Sequence, residues 1–187
     1  MTTSGDIVNQ AIILIGDNQP LVTGVAPNFD NSPAGIAASK LYAPCVATVA
    51  RQWQWDLARN TVALTLSANP APEGWLFEYL YPSNGIEVWQ IMPLTIDPNN
   101  PLPINWSVAN DVVSGNQVKV ILTNVASAVA VYNNSPNEST WDALFREAVV
   151  RLLASELAMA IAGRPDSAQI LIESGAAFES IGEGRPD

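Results

Sequence analysis

The sequence contains no histidine and only one cysteine, Cys45, in 187 residues. Without histidine, the chain cannot build a Ser-His-Asp or Cys-His nucleophilic site or an HExxH zinc helix. A lone cysteine excludes an intramolecular disulfide and a cysteine-rich metal cluster. The phosphate-binding patterns GxxxxGKS/T and GxGxxG are also missing. The residues therefore predict no cofactor, no metal site and no histidine-dependent catalysis.

Charged residues are scarce, and positively charged residues are fewer than negatively charged ones. Lys and Arg number 8 against 18 Asp and Glu, so the net charge is −10, and charged residues are 14% of the chain. Soluble domains usually carry about a quarter. An acidic chain has no cationic excess with which to displace counterions from a phosphate backbone, so ordinary nucleic-acid binding is not expected. Because few charges leave more neutral and apolar surface, the composition favours an assembly subunit.

Signals for export and membrane insertion are lacking as well. The first residues, MTTSGD, have no basic region, so no secretory signal peptide is predicted. The most apolar windows are interrupted by Pro44, Arg51, Arg151 and Glu156, and each is too short to span a bilayer. We expect a soluble protein with one domain's worth of chain.

Helix signals lie in the first third of the chain. Thr3 and Asp6 form a capping-box pattern before an apolar face over residues 4–15, and Gly16 marks the end of this helix. Ser32 followed by proline opens a second helix that runs towards Trp55. Pro44 is expected to kink or split that helix, because its ring clashes with the preceding turn.

The longest helical pattern is Ser139–Ala162. Its start is predicted either at Ser139, with Asp142 completing a capping box, or upstream at Ser135. Two apolar stripes at helical spacing run along it, so more than one partner must pack on it, from this chain or from a neighbouring copy. A further helix is predicted from Pro165 or Asp166, and residues 182–187 are expected to be mobile.

Between the helices the apolar period changes from 3.6 to 2, with prolines and Asn-Gly or Ser-Gly turns between short segments. Strands and helices are segregated along the chain, which favours an α+β fold over alternating βαβ units. We predict one domain over residues 1–187: a helical bundle of about four helices, over about 4–58 and 136–181. A β-rich antiparallel insertion, about 61–132, lies between the second and third helices, and 182–187 form a mobile tail.

The carboxylates and the tryptophans suggest two alternative functions. Glu73, Glu78 and Glu87 could meet as an acid/base pair of the kind that hydrolyses glycosidic bonds. Outward-facing carboxylates on half-exposed strands are the more ordinary interpretation. Six tryptophans could form a carbohydrate platform, for which Trp75, Trp89 and Trp106 are the candidates. Packing in the core or at a subunit interface is favoured over ligand binding for them as well.

Several short motifs follow one another along the chain. They are Ile15-Gly16 at the end of the first helix, WDLA at 55–58, WLFEYLYP at 75–82, ILTN at 121–124 before a strand ending in Tyr132, and WDALF at 141–145 continued by LASELA at 153–158. In this order they resemble the tail tubular protein A family, the head-to-tail adaptors of short-tailed bacteriophages. The similarity covers roughly residues 5–180.

The resemblance implies a structural protein without a catalytic site. About twelve copies would form a ring between the portal protein and the tail nozzle protein, with heterologous contacts between copies. Genomic DNA would pass through the lumen without specific binding, and an acidic lumen would repel its phosphates. The protein would assemble in the host bacterial cytoplasm and reside in the neck of the virion, with no membrane partner.

The resemblance also assigns residues to roles. Motif and core positions are Trp55, Trp75, Tyr79, Pro82, Tyr132, Trp141, Phe145 and Leu157. Candidate subunit or portal contacts are Val150, Leu153, Ile161, Ile170, Leu171 and Phe178. The helices around Ser139–Ala162 would form the ring wall, the segment from Pro165 would contact the portal, and the β-rich insertion would face the nozzle. Family members carry an acidic residue in the turn after the strand proline, where this chain has Ser83-Asn84, and the C-terminal part is short.

Overall fold

The computed structural model describes residues 2–16, 21–95 and 104–162. In these ranges the α-helices are α1 Ser4–Ile15, α2 Pro33–Gln52 and α3 Ala143–Leu157. A 3₁₀ turn, Glu138–Thr140, precedes α3, and a π-helical turn, Ala158–Ala162, follows it. The chain divides into two compact units. Of the described residues, those up to Trp53 and those from Pro136 to position 162 form the helical unit, and those between Gln54 and Ser135 form the β unit.

All strands in the described residues pair antiparallel. The strands are β1 Gly24–Val25, β2 Asn28–Phe29, β3 Arg59–Ala63, β4 Phe77–Leu80, β5 Glu87–Pro93, β6 Trp106–Val113, β7 Asn116–Thr123 and β8 Ala128–Asn133. β1 and β2 form a short hairpin in the helical unit. The β unit holds two sheets, ordered β3-β8-β5 and β4-β7-β6.

The start and end of α1 are as predicted. The backbone N–H of Thr3 donates to Oδ2 of Asp6 at 2.8 Å, and the N–H of Asp6 donates to Oγ1 of Thr3 at 3.2 Å. This reciprocal pair satisfies two of the amides that the first turn of a helix leaves without partners. Gly16 ends the helix in the left-handed conformation, with a φ of 69°. The predicted boundaries of α1 are confirmed.

α2 also begins where the residues predict. The N–H of Gly35 donates to Oγ of Ser32 at 3.0 Å, and Pro33 occupies the first turn. Pro44 does not split the helix, which is continuous to Gln52. Since Pro44 has no N–H, the carbonyl of Lys40 loses its usual donor one turn ahead. α2 ends before Trp55 because Trp53 adopts an extended backbone.

α3 begins later than either predicted start. Its N-cap is Asp142, whose Oδ1 accepts the N–H of Phe145 at 2.7 Å. Ser139 lies instead in the 3₁₀ turn, where its N–H donates to Oδ1 of Asn137 at 3.0 Å. The predicted cap at Ser139 is wrong because Trp141 is extended between the two turns, and this interrupts the helical backbone.

α3 is the centre of the helical unit. α1 and α2 each pack against it and make little direct contact with one another. Its fully buried side chains include Phe145, Val149, Leu153 and Leu157. The stripe that contains Val150, Leu153 and Leu157 is therefore largely covered within this chain, whereas on the other stripe Leu144 and Leu152 are half-buried and Met159 is 59% exposed.

The β unit has its own core between its two sheets. Tyr79 and Ile121 from one sheet meet Val88, Ile91 and Tyr132 from the other. β6 and β7 are joined by a two-residue turn, in which Ser114 has φ 51° and Gly115 has φ 80°. Positive φ at both positions is typical of the hairpin turn that matches strand twist. The predicted turn at residues 114–116 is confirmed.

The predicted fold class is wrong. The described residues form a mixed α+β fold of three helices and three antiparallel sheets, not a four-helix bundle with an insertion. The strands are not an appendage of a bundle, because they enclose a separate apolar core between two sheets. The predicted last helix from Pro165 and the tail at 182–187 lie outside the described residues.

Candidate functional site

Tyr79 joins β4 to the connection between β7 and β8. Its side chain is 1% exposed, and its hydroxyl donates to the carbonyl of Val125 at 3.0 Å. The same hydroxyl is 3.5 Å from the N–H of Ala128. A buried tyrosine hydroxyl needs such partners, and here they hold the connection closed over the sheet core. This motif position therefore has a structural role in the β unit.

Tyr132 likewise uses its hydroxyl to hold the turn before β5. Its ring is buried on β8, and its hydroxyl donates to Oδ1 of Asn84 at 3.0 Å. This hydrogen bond fixes the turn that contains Asn84 to β8.

Trp141 is the centre of an aromatic group in the helical unit. Its ring contacts Phe145 edge-on, with centroids 4.8 Å apart, and stacks near Tyr42 at 6.5 Å. Its indole N–H donates to the carbonyl of Pro136 at 3.1 Å. Phe29 of β2 contacts the other side of Tyr42, at 6.1 Å. The group joins the hairpin, α2 and the start of α3.

The positions of the remaining motif residues indicate a structural role. Leu157 is fully buried at the end of α3. Trp55, Trp75 and Pro82 are half-buried in connecting segments of the β unit. None of the motif positions gathers into a cleft with another chemically reactive side chain in the described residues.

The three glutamates proposed as an acid/base set are not brought together by any contact in the described residues. Glu73 is exposed in a loop, Glu78 lies on β4, and Glu87 lies on β5 of the other sheet. Glu78 is 4% exposed, and its Oε1 has no hydrogen-bond partner in the described part of the chain. Its neighbouring carboxylate is Asp111 on β6, which the sequence analysis did not single out.

Glu78 and Asp111 line a depression of about 190 Å³ beside Pro70 and Pro72. The side chain of Asn69, then the backbone of Val112, hold the pKa of Asp111 below its ordinary value. The side chain of Glu78 is a further, smaller cause of the lowered pKa of Asp111. Only the strand pairing placed Asp111 here, and no local sequence signal marks it.

The proposed tryptophan platform is dispersed. Trp106 on β6 packs against the core of the β unit, and Trp75 is half-buried before β4. Trp89 occupies the bulge between Val88 and Gln90 of β5, and its indole N–H is buried without an acceptor in the described residues. The three rings belong to different segments, and no contact among the described residues makes them one exposed surface.

The candidate contact residues on α3 lie inside the molecule. Val150 is 2% exposed and Leu153 is fully buried, so neither side chain is available to another chain in this structure. Ile161 is half-buried in the π-helical turn. Ile170, Leu171 and Phe178 lie outside the described residues.

Exposed large apolar side chains occur in both units, and those on α1 and α2 are Ile13, Leu14 and Ile36. We define the outer stripe of α1 as Asp6, Gln10, Ile13 and Leu14, and the outer stripe of α2 as Ile36, Lys40, Ala43, Pro44 and Arg51. Ile13 is 66% exposed and Ile36 is 53% exposed. The sequence analysis named only the buried face of α1. The helical period that predicts that face also places Ile13 and Leu14 away from it.

Neither a metal-binding cluster nor a membrane-spanning helix is found among the described residues. In residues 2–16, 21–95 and 104–162, no three carboxylate or thiol side chains come together in a way that would hold a metal ion. In the same ranges, no helix has both the length and the apolar character needed to cross a membrane. No protein-family model matches the chain, and no curated protein matches its sequence.

Proposed function

We propose that this chain is a structural head-to-tail adaptor of a tailed bacteriophage virion. Its copies form a ring between the portal and the tail nozzle, and DNA leaves the head through the lumen. The observation that carries the proposal is the ordered series of motifs from Ile15-Gly16 to the helix at 141–158. Each motif alone is short, and the order and spacing of the whole series support the resemblance.

The roles that the motif residues play in the fold are consistent with the proposed adaptor. Tyr79, Tyr132 and Trp141 each use a side-chain polar atom to hold a turn or a connection against a core. Side chains with such dual apolar and polar contacts determine a fold more than a reaction. A resemblance confined to them supports a shared architecture, and the adaptor role follows by analogy with the family.

The surface supports an assembly role. Ile13, Leu14 and Ile36 are exposed, and an assembly subunit would bury such side chains on association. Because Val150 and Leu153 of α3 are buried, the ring wall is expected to form through the exposed faces of α1 and α2. This replaces the earlier expectation that Val150 and Leu153 contact a neighbour.

The charge supports passage of DNA. A net charge of −10 on each copy would give a ring a strongly negative field. Phosphates would be repelled from such a wall, so DNA could slide without binding. The segment from Pro165 would contact the portal and the β unit would face the nozzle, as the resemblance implies.

The decisive test is the mass of the purified protein by light scattering, alone and mixed with the portal ring encoded in the same genome. We expect about twelve copies to join each portal, as a closed ring with cyclic symmetry requires. The portal of an unrelated phage is the matched control and should recruit none. A chain that leaves the mass of its own portal unchanged would rule out the adaptor role.

A further inference from the structure

The outer stripes of α1 and α2 differ in charge. α2, Pro33–Gln52, carries Lys40 and Arg51 and contains no acidic residue. α1, Ser4–Ile15, carries Asp6 and contains no basic residue. In a chain of net charge −10, α2 therefore contributes only positive charge to its surface, which favours contact with an acidic stripe of another copy.

Each stripe also combines its charge with exposed aliphatic side chains. Ile13 and Leu14 of α1 are 66% and 44% exposed, and Ile36 of α2 is 53% exposed. Large aliphatic groups beside a few charges are typical of interfaces with an apolar centre and a polar rim. The two stripes are therefore similar in apolar character and opposite in sign of charge.

The two stripes also carry complementary hydrogen-bonding groups. Pro44 deprives the carbonyl of Lys40 of its helical donor, and this leaves an acceptor within the outer stripe of α2. Gln10 lies within the outer stripe of α1 and carries an amide donor. An acceptor on one stripe and a donor on the other are what two docked helices require.

The two stripes lie on different helices, each of which packs against α3 and makes little direct contact with the other. They are therefore different surfaces of one subunit. Contact between unlike surfaces of a subunit is heterologous, and repetition of it closes a ring or extends a filament.

We propose that the outer stripe of α2 in one copy docks against the outer stripe of α1 in the next copy. The proposal rests on the self-association that the proposed function requires, and it names the two surfaces that meet. Neither the portal nor the nozzle takes part in this contact.

Cross-linking between engineered cysteines tests the contact on the full chain. The variant Ile13→Cys/Ala43→Cys places one thiol on each stripe, and both original side chains are exposed. With a short bis-maleimide, we expect a ladder of dimers, trimers and higher species, because every copy links to the copy on each side. The single variants Ile13→Cys and Ala43→Cys should give no cross-linked dimer alone, but a mixture of the two should give one.

The wild-type chain is the control, since its one cysteine, Cys45, is buried. Efficient dimers from Ile13→Cys alone would mean that like surfaces meet, and this would overturn the proposal. Absence of any ladder from the double-cysteine variant would overturn it as well.

Charge reversal gives a second measurement. Lys40→Glu/Arg51→Glu should weaken the ladder on the order of a hundredfold, because it brings like charges together at the interface. Arg59→Glu/Lys119→Glu changes the net charge by the same amount in the β unit and should leave the ladder unchanged. Equal effects of the two double variants would indicate general repulsion and would overturn the assigned surfaces.

The cross-linking result and the portal result are separable. A chain that joins the portal but gives no ladder retains the adaptor role and contradicts this interface. A chain that gives the ladder but ignores the portal supports the interface and contradicts the adaptor role.

Discussion

The hydroxyl of Tyr42 on α2 donates a 3.0 Å hydrogen bond to Oε1 of Glu138, which lies 96 residues further along the chain. Burial, and then the negative charge of Glu138, raise the pKa of Tyr42 well above its ordinary value, so the hydroxyl remains a donor. The bond connects α2 to the 3₁₀ turn that leads into α3. Two distant parts of the helical unit are thereby held together beside the ring of Trp141.

The variant Tyr42→Phe tests this connection. It keeps the ring packing and removes the donor, so we expect the free energy of unfolding to fall by about 1 kcal/mol. Urea denaturation followed by circular dichroism measures the change. Glu138→Gln and the double variant complete a thermodynamic cycle, and strictly additive effects would show that the hydroxyl and the carboxylate do not interact in solution.

Two tryptophans should respond differently to the same substitution. Trp141→Phe removes an indole N–H that donates to Pro136 and should cost about 2 kcal/mol. Trp89→Phe removes a buried N–H that has no acceptor in the described residues, so its cost should be within about 1 kcal/mol of zero. Thermal or urea unfolding followed by circular dichroism compares the pair. A larger loss for Trp89→Phe would contradict the burial of an unsatisfied donor.

Gly35→Ala should destabilise the helical unit. A Cβ at Gly35 would overlap the carbonyl oxygen of Asp30, because α2 begins very close to the preceding segment. Overpacking of this kind costs about 1–3 kcal/mol. Helix propensity alone would make alanine more favourable than glycine by about 1 kcal/mol, so the sign of the change is decisive. A rise in the unfolding midpoint would show that the segment moves aside at little cost.

The lowered pKa of Asp30 predicts that the protein loses stability at acid pH. The side chain of Ser32 and the backbone of Thr23 donate hydrogen bonds that lower the pKa of Asp30 to about 2, from 3.8. Because the folded pKa is depressed, the contribution of Asp30 is present above pH 3.8 and is lost as the pH falls towards about 2. We expect the unfolding temperature of wild type to fall more steeply than that of Asp30→Asn between pH 5 and 2. Parallel curves would contradict the assignment.

Local residue patterns predicted much of the secondary structure. The capping box at Thr3 and Asp6, the Ser32-Pro33 start and the turn at 114–116 each depend on contacts within a few residues, and the structure confirms all three. The start of α3 was predicted wrongly because Ser139 and Asp142 are both good caps by type. The extended backbone of Trp141, whose indole bonds to Pro136, decided between them.

Longer-range features could not be read from residue order. Glu78 on β4 and Asp111 on β6 line the same depression because both strands pair with β7, and nothing near either residue indicates the other. The division of the strands into two sheets with a separate core also depends on pairing between distant segments, and it overturned the predicted four-helix bundle. The spacing of apolar residues predicts which side of each helix remains exposed. It does not predict what that side contacts.

By itself, the sequence determined the acidity, the lack of histidine chemistry and the positions where helices and turns begin, because these depend on residue type and on neighbours within one or two turns. Only the tertiary structure decided that Val150, Leu153 and Leu157 of α3 are covered within the chain. It likewise decided that Ile13, Leu14 and Ile36 remain outside. Burial is a property of which distant surfaces meet. A stripe of apolar residues has the same pattern whether its partner is an element of its own chain or another copy.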